Sequence, residues 1–227
     1  MSRGWFRKLL RRLAWGVVAG VVSFYALVAV SLFALRWIDP PFTAVHVERR
    51  IEAWLGKKPY TKRYTPLPLS RVATDLAHAV VAAEDSRFFQ HHGFDMVEIQ
   101  HAIDEEEDRG YLRGASTITQ QLVKNLFLTT RRSFARKGLE FTITPLAEWI
   151  LGKRRILELY LSVIEWGPGV YGAEAAARYH YSLPAARIGR DQAARLAAII
   201  PSPRRRKPAR MDRISAVILE RMSKMGW

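Results

Sequence analysis

The sequence predicts a mostly α-helical protein in which a single N-terminal transmembrane helix precedes a helical domain. A charge-free stretch long enough to cross a bilayer lies near the N-terminus. Beyond it, apolar residues recur at the three- and four-residue spacing typical of helices. The sequence has no repeat, no βαβ alternation and no convincing period-two strand series, so at most a short hairpin near residues 57–67 is expected.

The N-terminal stretch carries no charge from residue 14 to residue 35, between Arg12 and Arg36. At about 1.5 Å per residue, a helix of this length matches a hydrocarbon core of about 30 Å. Five basic and no acidic residues precede it, which places the N-terminus in the cytoplasm and the rest outside. A cleaved signal peptide is the alternative. We favour a retained anchor, because the run is long for a signal core and SLFALR makes a poor cleavage site.

The charge of the chain narrows the class of its partners. The formal net charge is +15, and 49% of the residues are hydrophobic, which argues against disorder. Without the five basic residues before the span, 31 basic residues face 21 acidic ones, so the exported part stays near +10. An exported basic domain meets no nucleic acid, so we expect lipid headgroups or a phosphate-bearing lipid as its anionic partner. Cysteine is absent from the sequence, which excludes disulfides and thiolate metal sites.

Composition along the chain predicts the domain boundaries. A basic tail at residues 1–13 precedes the membrane helix at residues 14–36. Residues 37–64 contain several prolines and little periodicity, which is typical of a linker or membrane-proximal segment, with a short helix at residues 45–55. The domain itself is expected at residues 65–227.

Capping residues predict the first helices of the domain. Ser70 can cap a helix that ends near Phe89, and Asp95 can cap another that continues through Ile103. The five acids at residues 104–108 are interpreted as a solvated loop or helix end rather than as a metal site.

Further helices are predicted in the second half of the chain. Thr117, with Gln120 three residues later, forms a capping box, so a helix should run from there to about Leu128. Ser133 can cap the next helix, in which Pro145 should cause a kink or break just before it. A turn is predicted at residues 167–169, and helices at residues 153–164, 171–179, 190–200 and 212–224.

The stretch VVAAEDSRFFQHHGFD, residues 80–95, contains the first candidate for catalysis. Glu84 and Asp85 follow an apolar helical run, and neighbours on a helix point about 100° apart, so one should face a cleft while the other braces the local structure. Partly apolar surroundings would raise the pKa of Glu84 into a range useful for a general base. A surface pair of acids is the alternative. His91 is expected to be a hydrogen-bonded structural residue, and the sequence has no HExxH motif, so zinc is not expected.

Two further stretches contain candidate ligands. In GASTITQQLVKN, residues 114–125, Gly114 permits close approach of a ligand. The polar side chains that follow lie at a helix N-terminus, a natural anion site: Ser116, Thr117, Gln120 and Gln121, with Lys124 on the same face as Gln120. The second stretch contains Arg132, Arg136, Lys137 and Glu140. Arg136 and Glu140 could form a simple ion pair, or the cations could clamp a pyrophosphate together with Lys124.

Taken together, these residues resemble a known family. In order and spacing, about residues 65–205 are similar to the five motifs of the peptidoglycan glycosyltransferases, which are lysozyme-like domains that polymerise lipid II. The strings that carry this resemblance are EDSRFFQHHG, GASTITQQLVKN, RKGLE, KRRILELYLS and GVYGAEAAARYHY. The single anchor, the short length and the lack of a transpeptidase domain are similar to the monofunctional biosynthetic form.

The resemblance implies roles for individual residues. It makes Glu84 the catalytic base and Glu140 a second acidic residue near the pyrophosphate. Substrate-binding positions would be Ser116, Thr117, Gln120, Gln121, Lys124, Arg132, Arg136 and Lys137. The structural frame would comprise Asp85, Phe88, His91, Gly93, Gly114 and Asn125. The resemblance implies that no cofactor is required, and it leaves open whether a divalent cation, Mg²⁺ or Mn²⁺, binds at Glu140.

The resemblance also implies a location and partners. The catalytic domain would lie in the periplasm, anchored by one span in the bacterial inner membrane. Its partners would be lipid II, the growing lipid-linked glycan strand, membrane lipids and other cell-wall synthesis proteins, and no nucleic acid.

Two other functions stay open from the sequence. A lysozyme-like hydrolase or lytic transglycosylase would need two carboxylates for acid and base work, and the cation cluster argues against it. A non-catalytic membrane scaffold is supported only by the first two of three departures from the family pattern. These are Ser162 where asparagine is usual, Pro145 inside a helix, and YHYSL in place of an ending with glycine.

Overall fold

The computed structural model describes residues 3–109, 116–131 and 133–227, with backbone alone for residues 3–6, 103 and 105–109. The helices are α1 Arg3–Ala34, α2 Ala44–Leu55, α3 Thr74–Glu84, α4 Met96–Arg109, α5 Ile118–Phe127, α6 Phe134–Val163, α7 Ala173–Tyr181, α8 Arg190–Ile199 and α9 Asp212–Lys224. The strands are β1 Arg63–Tyr64, β2 Glu165–Gly167 and β3 Val170–Tyr171. Within these residues the protein is mostly α-helical, as predicted.

Helix α1 contains the predicted membrane segment and packs against the domain at its C-terminal end. Over Arg7–Ala34 it is long and apolar enough to cross a membrane. Most of this length is exposed, but Val28 and Leu32 are buried against Ile143 of α6. The Tyr25 hydroxyl also lies 2.5 Å from Thr142 Oγ1. The last turns of the anchor are therefore part of the folded domain.

The main core lies between α3, α8 and α9, and it extends to the second half of α6. Helix α3 packs on α8 and α9, while α5 packs on α6. Apolar side chains of α3 occupy successive turns and are fully buried, and large aromatics such as Phe88, Tyr160 and Trp166 fill the space between elements. Burial of this apolar surface stabilises the fold and fixes the end of α3, where Glu84 lies.

The small sheet differs from the predicted hairpin near residues 57–67. Strand β1 pairs parallel with β3, with Arg63 opposite Val170, and β3 pairs antiparallel with β2. The hairpin therefore spans β2 and β3, around the predicted turn at residues 167–169. Gly169 has φ +72°, and a Cβ there would lie 2.3 Å from the Thr61 carbonyl oxygen, so only glycine lets the two segments approach.

Two predicted boundaries of α3 are wrong. Ser70 belongs to a short 3₁₀ turn and does not cap the helix, which begins at Thr74. The helix ends at Glu84 rather than near Phe89, because Asp85 leaves the helical conformation with φ −164°. Its carboxylate is held by other groups, as described below.

The predicted break in α6 is at the wrong residue. The helix passes through Pro145 and is interrupted at Gly152, which has φ 72° and ψ 159°. The caps at Thr117 and Ser133 and the helices that follow them are confirmed. Helix α4 continues to Arg109, so the acid run lies in a helix end, and α7 lies two residues later than predicted.

Candidate active site

Glu84 occupies the last position of α3 and is half-buried. Gln121 Nε2 donates a hydrogen bond to Glu84 Oε2 at 2.8 Å. Burial raises the pKa of Glu84, and the Gln121 bond and the positive charges of Lys124 and Arg206 oppose that rise. The carboxylate is thus less acidic than an exposed glutamate, as a general base requires.

Asp85 is buried and serves the local structure. His91 Nε2 lies 2.9 Å from Asp85 Oδ1, and the Ile118 amide donates to Asp85 Oδ2 at 3.0 Å. The Gly93 amide donates to His91 Nδ1, so the ring hydrogen must lie on Nε2 and point to Asp85. These bonds join the end of α3 to the start of α5 and hold the loop that follows Glu84.

Gly93 lies where α6 comes close to this loop. It has φ +94°, and a Cβ there would lie 2.7 Å from Thr144 Cγ2. The Thr117 hydroxyl donates to the Gly93 carbonyl at 2.7 Å. Phe88 is fully buried beneath the same loop.

The start of α5 is more enclosed than an open anion site. Thr117 and Gln120 are both buried in the capping box, where the Thr117 amide donates to Gln120 Oε1 at 3.0 Å. The Ile118 amide donates its hydrogen bond to the Asp85 carboxylate. Of the predicted ligands at this helix end, Ser116, Thr117 and Gln121 line a cavity together with Glu84, and Gln120 does not.

Tyr160 orients Gln121, a contact that the sequence analysis missed. Tyr160 is fully buried, and its hydroxyl donates to Gln121 Oε1 at 2.9 Å. With its oxygen held in this way, Gln121 turns its amide nitrogen toward Glu84. Tyr160 lies within KRRILELYLS, but nothing in that string indicates a partner 39 residues away.

Glu140 is buried on α6 with a cation at each oxygen. Arg136 Nη1 donates to Oε2 at 2.6 Å, and Lys137 Nζ donates to Oε1 at 2.5 Å. The Lys137 ammonium also donates to Ser116 Oγ at 3.0 Å, which connects α6 to the start of α5. Two cations around one carboxylate leave a net positive charge, so the cluster retains the capacity to attract an anion.

Lys124 is half-buried and lies close to the carboxylates of Glu84 and Glu140. Burial lowers the pKa of its ammonium, the charges of Glu140 and Glu84 raise it, and those of Arg136 and Lys137 lower it. No hydrogen bond from this ammonium is formed within the described part of the chain. The neighbouring Asn125 is buried and donates to the Gln121 carbonyl at 2.7 Å. The predicted residues Gly114 and Arg132 lie outside the described residues.

Two cavities flank the pair formed by Glu84 and Gln121. One, of about 270 Å³, is lined by Glu84, Ser116 and Arg221. The other, of about 310 Å³, is lined by Lys124 and by a further pair, Arg49 of α2 and Glu165 of β2, whose side chains lie 3.1 Å apart. Both cavities share Gln121 and Pro201 as lining residues. Gln121 thus borders both cavities, of which Glu84 lines the first and Lys124 lines the second.

The carboxylates near the site are poorly suited to a divalent cation. Both oxygens of Glu140 already bond to cationic side chains. Ligand atoms of Asp85, His91 and Asp95 lie within 4.8 Å of one another. However, Asp85 is bonded to His91 and to a backbone amide, while Asp95 caps α4 and pairs with Arg87. Among the described residues, the carboxylates near Glu84 and Glu140 thus do not fit a bound metal ion.

The three departures from the family pattern leave this geometry intact. Ser162 is buried and its hydroxyl donates to the Leu67 carbonyl. Downstream of Pro145, Glu148 accepts from Thr119 and Lys153 at 2.5 and 2.7 Å. Ser182 ends α7 in the left-handed conformation, with φ 57°, which is the backbone geometry that a glycine would favour there.

Comparison with known proteins adds a family match over most of the chain. The family model described as Transglycosylase matches residues 50–223. A biosynthetic peptidoglycan transglycosylase of Pseudomonas aeruginosa is 47% identical over 92% of this chain and 87% of its own length. Proteins of the same name from Ectopseudomonas mendocina and Pseudomonas fluorescens are 43% and 45% identical, over 100% and 95% of this chain and 92% of each relative.

Proposed function

Because the chain belongs to the transglycosylase family, we propose that it polymerises lipid II into β-1,4-linked glycan strands and releases undecaprenyl pyrophosphate, in bacterial cell-wall synthesis. One observation carries the proposal at the site. A half-buried base candidate, Glu84, lies beside Lys124 and close to the cations around Glu140. This pairing of one base with several cations suits a sugar acceptor and an anionic leaving group.

In the proposed reaction, Glu84 takes the proton from the 4-hydroxyl of the acceptor GlcNAc. That oxygen attacks the anomeric carbon of the donor chain and forms the new glycosidic bond with inversion. The bond from the anomeric carbon to the lipid pyrophosphate breaks, and its electron pair leaves with the pyrophosphate. The leaving group is a weak base, so positive charge from Lys124, Arg136 and Lys137 replaces a general acid. No step is routed through a metal ion.

The proposed location follows from α1. With one span and a basic N-terminal tail, the chain would sit in the inner membrane with its N-terminus in the cytoplasm. The domain after α1 would act in the periplasm, where lipid II and the growing strand are held at the same membrane surface. Membrane lipids and other cell-wall synthesis proteins are the remaining proposed partners, and no nucleic acid is involved.

The experiment gives labelled lipid II to the full-length protein in detergent and resolves the strands on a gel. We expect strands from the wild type and none from Glu84→Gln. Glu220→Gln, the same substitution on the exposed face of α9, should polymerise like the wild type. Polymer from Glu84→Gln would exclude the base role of Glu84, and an inactive wild type would exclude the proposed reaction.

A melting curve separates loss of chemistry from loss of fold. The folded-state pKa of Glu84 is raised, so the ionised side chain weakens folding at pH values above its unfolded pKa. Neutral glutamine removes this effect. Glu84→Gln should therefore melt at the same temperature as the wild type or higher at neutral pH.

A further inference from the structure

A strongly basic turn follows α8 and contributes none of the cations proposed to stabilise the leaving group. From residue 192 to residue 211 the chain has six basic residues and no acid. Four of the six are consecutive, at residues 204–207, and we call this segment the basic turn. Such a density of one sign of charge raises the local concentration of anions.

The backbone of the basic turn is ordered. The amides of Arg205 and Arg206 donate to the Ser202 carbonyl at 3.0 and 2.9 Å. The Arg206 guanidinium donates to the Ala198 carbonyl at 2.8 Å, which ties the turn to the end of α8. The cations are thus presented on a fixed support, which lowers the entropic cost of binding a ligand.

Two cations of the turn are available to a ligand. Arg204 pairs with Glu52 of α2 at 3.2 Å. Arg205 and Lys207 are exposed and form no ion pair with any described residue. Nearby Arg195 is held by Asp191 and Asp212, so it contributes little free charge.

The basic turn borders a cavity of about 710 Å³. Tyr179 and His180 of α7 also line it, and His180 is fixed by a bond of 2.9 Å to the Trp166 carbonyl. Arg204 and Arg205 line both this cavity and the one that contains Gln121 and Lys124. A polymer in the catalytic cleft could therefore continue past the basic turn into the larger cavity.

The size and position of the cavity indicate which anion it receives. The cations suited to the pyrophosphate lie on α5 and α6, beside Glu84, and none of them lines this cavity. Its volume suits a peptide better than a phosphate. The repeating units of the proposed polymer carry short peptides with free carboxylates, and arginine binds carboxylates with well-defined geometry.

We propose that this cavity, through Arg205 and Lys207, binds the peptide carboxylates of the growing glycan strand. The inference rests on the proposed function, which supplies the strand. It makes the basic turn a determinant of specificity and of strand length, because each added unit presents a new carboxylate to the same cations.

The test compares two substrates, lipid II with free peptide carboxylates and lipid II with the same carboxylates amidated. The variant is Arg205→Ala with Lys207→Ala in the full-length protein. Its matched control is Arg187→Ala with Arg213→Ala, two exposed cations that do not line the cavity. With the free-carboxylate substrate, we expect the variant to raise KM about tenfold, which corresponds to about 1.4 kcal/mol, and to make shorter strands. With the amidated substrate it should match the wild type, and the control should match the wild type with both.

Several outcomes would overturn the proposal. An equal loss with both substrates would assign the cations to the pyrophosphate or to lipid headgroups, and an equal loss in the control would indicate a general charge effect. No loss with free carboxylates would exclude the site. A second measurement uses Glu84→Gln and soluble, lipid-free glycan that bears free or amidated peptides. Glu84→Gln should bind the glycan with free carboxylates selectively, and this selectivity should be lost when Arg205→Ala and Lys207→Ala are added. The selective binding should persist even if the wild type makes no polymer, so the two proposals can fail separately.

Discussion

Glu84 and Asp85 are adjacent carboxylates with different surroundings. Asp85 accepts bonds from a histidine ring and a backbone amide, so both of its oxygens are engaged within the fold. Glu84 accepts one hydrogen bond from the described part of the chain, from Gln121, and lines a cavity. The helix ends between the two residues, and this turns one carboxylate inward while the other stays accessible.

The rate of polymerisation should depend on the ionisation of Glu84. Burial raises its pKa, and a base must be ionised, so activity should fall with decreasing pH through a range above that of an ordinary carboxyl group.

Tyr160→Phe removes the donor that orients Gln121. The amide would then stabilise the carboxylate less, so we expect a lower kcat and an acid limb that moves to higher pH. Pre-steady-state and steady-state rates across pH measure both effects.

A merely structural role of Tyr160 gives a different result. Loss of one buried hydrogen bond costs about 1 kcal/mol of stability, and that alone would leave the pH profile unchanged. Tyr64→Phe serves as the control, because Tyr64 bonds to the Pro40 carbonyl, away from Gln121. An unchanged acid limb in Tyr160→Phe would show that Gln121 does not depend on this hydroxyl.

Local patterns predicted part of the site, and distant contacts could not be predicted. The capping box at Thr117 and the position of Glu84 at the end of an apolar helix follow from residues a few positions apart. The pair of Arg49 and Glu165 joins residues 116 positions apart, and only the folded chain brings them together. The prediction that Thr117 and Gln120 face a ligand stays untested, but both side chains are buried in the cap.

At the scale of elements, α6 is interrupted at Gly152 rather than at Pro145. A proline removes one backbone hydrogen bond from a helix, but this part of α6 packs against both α1 and α5, and that packing outweighs the loss. Gly152, with φ 72° and ψ 159°, has a conformation that is essentially restricted to glycine. The sequence alone could not weigh tertiary packing against the proline.

Gly152→Ala should destabilise the protein through its backbone conformation. A Cβ at this position would meet no atom within 4 Å, so the expected cost of about 1–3 kcal/mol is strain rather than collision. Gly138→Ala is the matched control in the same helix, where a Cβ also meets nothing and alanine should stabilise by up to about 1 kcal/mol. Thermal melts should shift in opposite directions. A Gly152→Ala melt equal to that of the wild type would mean that the interruption is not required.

At the scale of the whole molecule, the anchor and the domain share a hydrophobic cluster. Val28 and Leu32 of α1 lie buried with Val123, Ile143 and Ala147 of α5 and α6. Lys124 and Glu140 are carried by the same two helices, so the cluster connects α1, which is long and apolar enough to cross a membrane, to the cations beside Glu84. The sequence predicted the anchor from its length, but its contact with α6 depends on how the domain folds back.

Leu32→Ala should therefore lower the stability of the folded domain, although the substitution lies in α1. Leu32 is fully buried by protein, and removing such a side chain costs about 2–5 kcal/mol. Leu27, on the same helix, is 68% exposed, so Leu27→Ala removes contacts with lipid or detergent and should leave the melting temperature almost unchanged. Melting temperatures in one detergent measure both, and a loss of roughly 2–4 °C per kcal/mol is expected for Leu32→Ala alone. Equal melting temperatures for the two variants would show that α1 serves as a tether and does not pack on α6 in solution.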